Sequence, residues 1–170
     1  MILLFMAGFL GGILYTNLIS RDYVAALGIF SDYFLNQYIQ TDIERSSFLW
    51  YLIKVRMVPL LGVILLAGTR VRRAAVIAVL LWTGFLCGMI FTSASLKMGA
   101  RGIALCIAAL FPQAVFYGVG YAVLLTGLYY YPKVGWNFQK TIAVLLAICM
   151  GVAVECYINP VLVKLFLKTV

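Results

Sequence analysis

The 170-residue sequence contains no histidine, and only five of its residues are acidic. Without histidine there is no Ser-His-Asp or Cys-His triad, no HExxH zinc site and little means of holding a transition metal. Asp22, Asp32, Asp42 and Glu44 share one polar stretch, which leaves Glu155 as the single carboxylate in an apolar run. A two-aspartate intramembrane protease or a metal-dependent phosphotransferase needs more than that. The expectation is a protein that is not an enzyme and uses no cofactor or metal.

Charge is scarce as well. Charged side chains make up 11% of the chain and apolar ones 65%, against ~25% and ~45–50% in soluble domains. A soluble protein this apolar would expose large patches and aggregate. The bilayer is therefore its solvent. At ~20 residues per spanning helix, the length accommodates five or six spans, with no separate soluble domain. The net charge of +8 fits loops that face anionic headgroups, so membrane lipids are expected partners and nucleic acid is not. Cys87, Cys106, Cys149 and Cys156 lie in apolar runs and read as small hydrophobes.

The predicted fold class is all-α: a polytopic membrane bundle of about five transmembrane helices, one interfacial amphipathic helix and a re-entrant half-helix. The spans are expected at about 1–19, 48–69, 74–95, 112–131 and 141–158. The first lacks a basic flank and a small-residue cleavage site, so it is read as a span and not as a removable signal. Between the first two spans, residues 20–47 hold Tyr23, Leu27, Phe30, Phe34 and Tyr38 at helical spacing. That stripe suits an amphipathic helix in the interface, packed on the spans or docking a partner. Pro59 is expected to kink the second span. The apolar run from Gly102 to Tyr131 is interrupted by Pro112 and Gln113. It either tilts strongly or folds residues 103–111 as a half-helix before a span that starts near Pro112. Gly8/Gly12, Gly84/Gly88, Ala114/Gly118/Ala122/Thr126 and Ala143/Ala147/Gly151 form small-residue stripes where helix backbones can approach. The dense Arg70–Arg73 turn favours a cytoplasmic N-terminus, although a plain count of Lys and Arg favours the reverse.

Glu155 continues the Ala143–Ala147–Gly151 stripe and so points at a packed face, where a lone carboxylate is costly. Lys54 and Arg56 lie at matching depth in the second span if that span runs antiparallel to the last. An ion pair of Glu155 with Arg56 or Lys54 is predicted, Arg56 being preferred because its fork can bond a carboxylate twice. The pair is either a structural clasp between spans or part of a substrate or proton path.

Two motifs occur together: Phe111-Pro112-Gln113-Ala114-Val115-Phe116-Tyr117 after an apolar half-span, and Ala153-Val154-Glu155-Cys156-Tyr157-Ile158-Asn159-Pro160 closing the last span. The pairing, and the order of elements over about residues 1–163, resembles the stage II sporulation protein M family of bacterial membrane proteins. The family shows Leu-Pro-His-Gly-x-Phe-Glu and later Ala-x-x-Glu-Ala-Tyr-x-x-Pro. Glu155, Tyr157 and Pro160 fall in place, as do Pro112 and Phe116. Gln113 stands for the family's His, Ala114 for its Gly and Tyr117 for its Glu, which marks a divergent member. The resemblance implies a multi-pass protein of the bacterial cell membrane. It further implies a non-catalytic scaffold that recruits peptidoglycan-degrading partners of the stage II sporulation D and P type, as in sporulation engulfment. The alternative from the residues alone is a subunit of a transporter or channel complex, since a helix broken at Pro112 and Gln113 beside an ion pair is how midplane sites are built. With so few spans, that alternative calls for an oligomer or for partner subunits.

Overall fold

A computed structural model describes residues 1–18, 30–42 and 44–169. They form seven helices: α1 (Ile2–Leu18), α2 (Asp32–Gln40), α3 (Arg45–Ala67), α4 (Arg72–Met98), α5 (Ala100–Tyr130), α6 (Phe138–Tyr157) and α7 (Asn159–Thr169). No strand occurs among the described residues. Four stretches are long and apolar enough to cross a membrane: Arg45–Leu66, Arg72–Met98, Ala100–Tyr130 and Phe138–Thr169. Helix α1 is also apolar but has 17 residues. The protein is an all-α membrane protein.

Contacts divide the chain into two compact units, Met1–Asp42 with Ile77–Ala109 and Leu162–Val170, and Ile43–Val76 with Leu110–Val161. In the first unit, α1 packs along α4 through glycines. A Cβ at Gly8 would strike the Leu81 carbonyl and one at Gly12 the Phe85 carbonyl. Reciprocally, Gly84 abuts Phe5 and Gly88 abuts Phe9. Contacts rise together along both helices, so the two run parallel, with backbones close enough that only hydrogen fits between them. Phe9 meets Phe91 edge-on at 6.3 Å, and Tyr15 packs on Phe85 at 5.5 Å. Thr16, fully buried, returns its hydroxyl to the Gly12 carbonyl at 2.9 Å. Helices α4 and α5 are joined by Gly99 alone, whose φ of 61° is open to glycine at no steric cost. The chain reverses there, and Gly102 closes against the Ala94 carbonyl.

Helix α2 covers the middle of the amphipathic segment expected over 20–47, of which residues 20–29 and 43 lie outside the described residues. Ser31 caps it by accepting from the Phe34 N–H at 3.3 Å, and Thr41 ends it with a hydroxyl to the Gln37 carbonyl at 2.8 Å. Of the predicted stripe, Tyr23 and Leu27 lie outside the described residues. Phe30 and Tyr38 are half-buried, whereas Phe34 is exposed. The less exposed face is Leu35, Tyr38 and Ile39, all half-buried. At about 100° per residue, Phe34 lies roughly a quarter-turn off the centre of that face. Burial raises the Tyr38 phenol above its usual range. Lys164 of α7 donates to the Thr41 carbonyl at 2.6 Å.

The second unit sets α3 antiparallel to α6, with Leu52, Leu60, Val63, Leu124, Leu125, Val144, Ile148 and Val152 in its core. At one end Arg45 lies over the Tyr157 ring at 5.8 Å, and at the other Arg72 lies over Tyr131 at 4.4 Å. Of the two alternatives for its sequence, helix α5 takes the single continuous helix and not the half-helix. It runs unbroken for 31 residues through Pro112, so residues 103–111 are not a separate half-helix and no span starts at Pro112. A proline costs one i→i−4 bond, which a membrane helix can absorb where its neighbours cover the gap. The boundary between the units nonetheless falls between Ala109 and Leu110, just before this proline. Helix α3 likewise continues through Pro59. The second correction concerns small residues. Ala114, Gly118, Ala122 and Thr126 are exposed, and a Cβ on Gly118 would meet nothing within 4 Å. The buried face of α5 is Gln113, Gly120, Leu124 and Gly127, a seven-residue repeat that turns the small stripe outward.

Candidate functional site

The one ion pair among the described residues joins Arg56 of α3 to Glu155 of α6. The pair is two-pronged. Arg56 Nε donates to Glu155 Oε2 at 3.0 Å, and Nη2 donates to Oε1. The side chains are 36% and 9% exposed, so the carboxylate is the deeper partner. Lys54, the other candidate, is exposed on α3 and makes no ion pair with Glu155. Two residues along a helix is about 200° of rotation, so Lys54 and Arg56 cannot present the same face.

A third residue completes the group. Tyr117 of α5 donates its hydroxyl to Glu155 Oε2 at 2.6 Å, while its ring lies under the Arg56 guanidinium at 4.8 Å. One side chain thus serves both charges, a hydroxyl for the anion and a π-face for the cation. Gly151 makes this geometry accessible. A Cβ there would come within 2.7–3.0 Å of three Tyr117 ring carbons. The ring therefore lies over the bare backbone of α6, one turn before Glu155. Both carboxylate oxygens accept from the chain's own donors, and the charges cancel locally.

The remaining residues of the proline motif divide by face. Gln113 is buried one turn before Tyr117, while Pro112 and Phe116 are half-buried. Nothing in the sequence alone assigned Tyr117 to the pair. Its signal was Gly151, a missing side chain on the face that carries Glu155. Among the described residues, no three His, Cys, Asp or Glu side chains cluster in a way that could hold a metal ion, and the four cysteines are free thiols.

Comparison with protein-family models, with curated proteins and with solved structures returns no match. Both motifs contribute to the cluster, Tyr117 from the first and Glu155 from the second.

Proposed function

We propose that this protein is a non-catalytic scaffold of the bacterial cell membrane that gathers envelope-remodelling partners, peptidoglycan-degrading proteins among them. The observation that supports this most is the closed state of the Arg56–Tyr117–Glu155 group. Its carboxylate is committed to two internal donors, an arrangement suited to fixing three helices in register and ill suited to passing protons. A docking platform needs such rigidity, because its partners must meet a surface of constant shape. The exposed aromatic residues of α2, Tyr33 and Phe34, would supply contacts at the membrane surface. The transporter reading drew on a break at Pro112 and Gln113, and α5 is continuous there.

The test is photo-crosslinking in native membranes from a reactive residue placed at Phe34, followed by purification in mild detergent and mass spectrometry. Recovery of peptidoglycan hydrolases is the expected result. Recovery of an ATPase with a second permease would overturn the scaffold reading.

A further inference from the structure

Within the second unit, a cavity of about 530 Å³ opens at the end remote from Glu155, where α3 and α5 finish and α6 begins. That volume lies within the ~300–1,000 Å³ of typical ligand sites. Its walls are apolar, with Ile64, Leu128 and Leu145 among them, and Ile64 and Leu145 are exposed on its open side. Gly127 lets the Trp136 ring close over one end, since a Cβ there would come within 2.7 Å of the ring. The indole N–H donates to Thr141 Oγ1 at 2.8 Å, which fixes the ring. At the rim, Arg72 is held over Tyr131.

Arg72 is the charged side chain of the lining, and the segments that carry it and Trp136 are basic. Residues 68–73 and 131–141 contain Arg70, Arg72, Arg73, Lys133 and Lys140, and no acid. Among the described residues the ion pair present is made by Arg56, so no described carboxylate pairs with these charges. An apolar slot open to the side, beneath a basic rim, matches one molecule type in a bilayer. We propose that the slot holds an acyl chain of an anionic glycerophospholipid whose phosphate is bound at Arg72. The guanidinium can bond two phosphate oxygens at once, and Tyr131 holds it in place. A zwitterionic lipid would bring its own ammonium group into the basic rim and lose that advantage.

The test uses Trp136 as the reporter. With Trp50 and Trp82 replaced by Phe, the protein is placed in phosphatidylcholine vesicles that carry a few mole per cent of lipid brominated on its acyl chains. Brominated phosphatidylglycerol is expected to quench Trp136 about fivefold more effectively than brominated phosphatidylcholine, the contribution of one basic group. Arg72→Gln should remove most of that preference, and Lys168→Gln, which does not line the slot, should keep it. Equal quenching by the two lipids, or a preference that survives Arg72→Gln, would overturn the proposal. Native mass spectrometry of the unmutated protein from mixed bilayers provides an independent test. Retained phosphatidylglycerol that is lost on Arg72→Gln supports the site. Adducts that follow the bulk lipid ratio, or inorganic phosphate alone, refute it.

Discussion

Removing Arg56 and Glu155 separately and together tests whether their bond holds α3 to α6. Arg56→Leu leaves a carboxylate that is 9% exposed with the Tyr117 hydroxyl as its remaining donor. Orphaning one member of a buried pair costs ~3–5 kcal/mol. Here Arg56 is itself 36% exposed, so about 2–4 kcal/mol is expected. Glu155→Gln leaves a cation that can turn towards water, at about 1–3 kcal/mol. The double variant removes both charges and leaves a neutral amide beside Tyr117. Its cost should be no greater than that of Arg56→Leu alone, giving a coupling of at least about 1 kcal/mol. The assay is reversible unfolding in mixed micelles of rising SDS fraction, followed by helical ellipticity. Single-variant costs that add within about 0.5 kcal/mol in the double variant would refute the clasp.

Tyr117→Phe should keep the ring over Arg56 but lose the bond to Glu155, a destabilisation of about 1.5–3 kcal/mol in the same assay. Gly11 and Gly12 give a matched contrast on α1: alanine at Gly11 would meet the Phe85 ring at 3.9 Å, whereas at Gly12 it would strike the Phe85 carbonyl. Gly11→Ala is thus expected within about 0.5 kcal/mol of the parent and Gly12→Ala about 1–3 kcal/mol below it. The Tyr38 phenol, raised by burial, should ionise above the ~10 of a free tyrosine in an ultraviolet pH titration that compares the parent with Tyr38→Phe. Between the unfolded and folded values the unfolded chain has released a proton that the folded chain retains. Stability from Tyr38 is therefore intact below pH ~10 and declines as pH rises through that window.

The apolar runs and the punctuation between them made the helices legible, because a bilayer demands long apolar segments with satisfied backbones. The Glu155–Arg56 pairing was legible from the antiparallel order of the spans, which sets the start of α3 beside the end of α6, where Arg45 lies over Tyr157. Choosing Arg56 over Lys54 needed only the fork of the guanidinium. The pairing of Gly8/Gly12 with Gly84/Gly88 was not, since small-residue stripes state that a helix is approached without naming the partner. The stripe on α5 shows how such a signal misleads. Ala114, Gly118 and Ala122 look like a packing face, yet the face is set by Gln113, Gly120, Leu124 and Gly127. Proline misled in the opposite sense at Pro112, because helix breaking is a local preference that neighbouring helices can override. Tyr117 was singled out for the proline motif and not for the ion pair, because that role depends on a void at Gly151 in a different helix.

The separation of Arg56 from Glu155 by 99 residues also orders events during synthesis. Helix α3 carries Arg45, Lys54 and Arg56 but no acid, so it must enter the bilayer before its counter-ion has been made. At ~5–20 residues per second, the guanidinium waits roughly 5–20 s for α6. Through that interval it can stay hydrated only by extending its stem towards the nearer headgroups. Helix α6 is thus the one that releases Arg56 from the interface, and final compaction of this unit is deferred until α6 has been made.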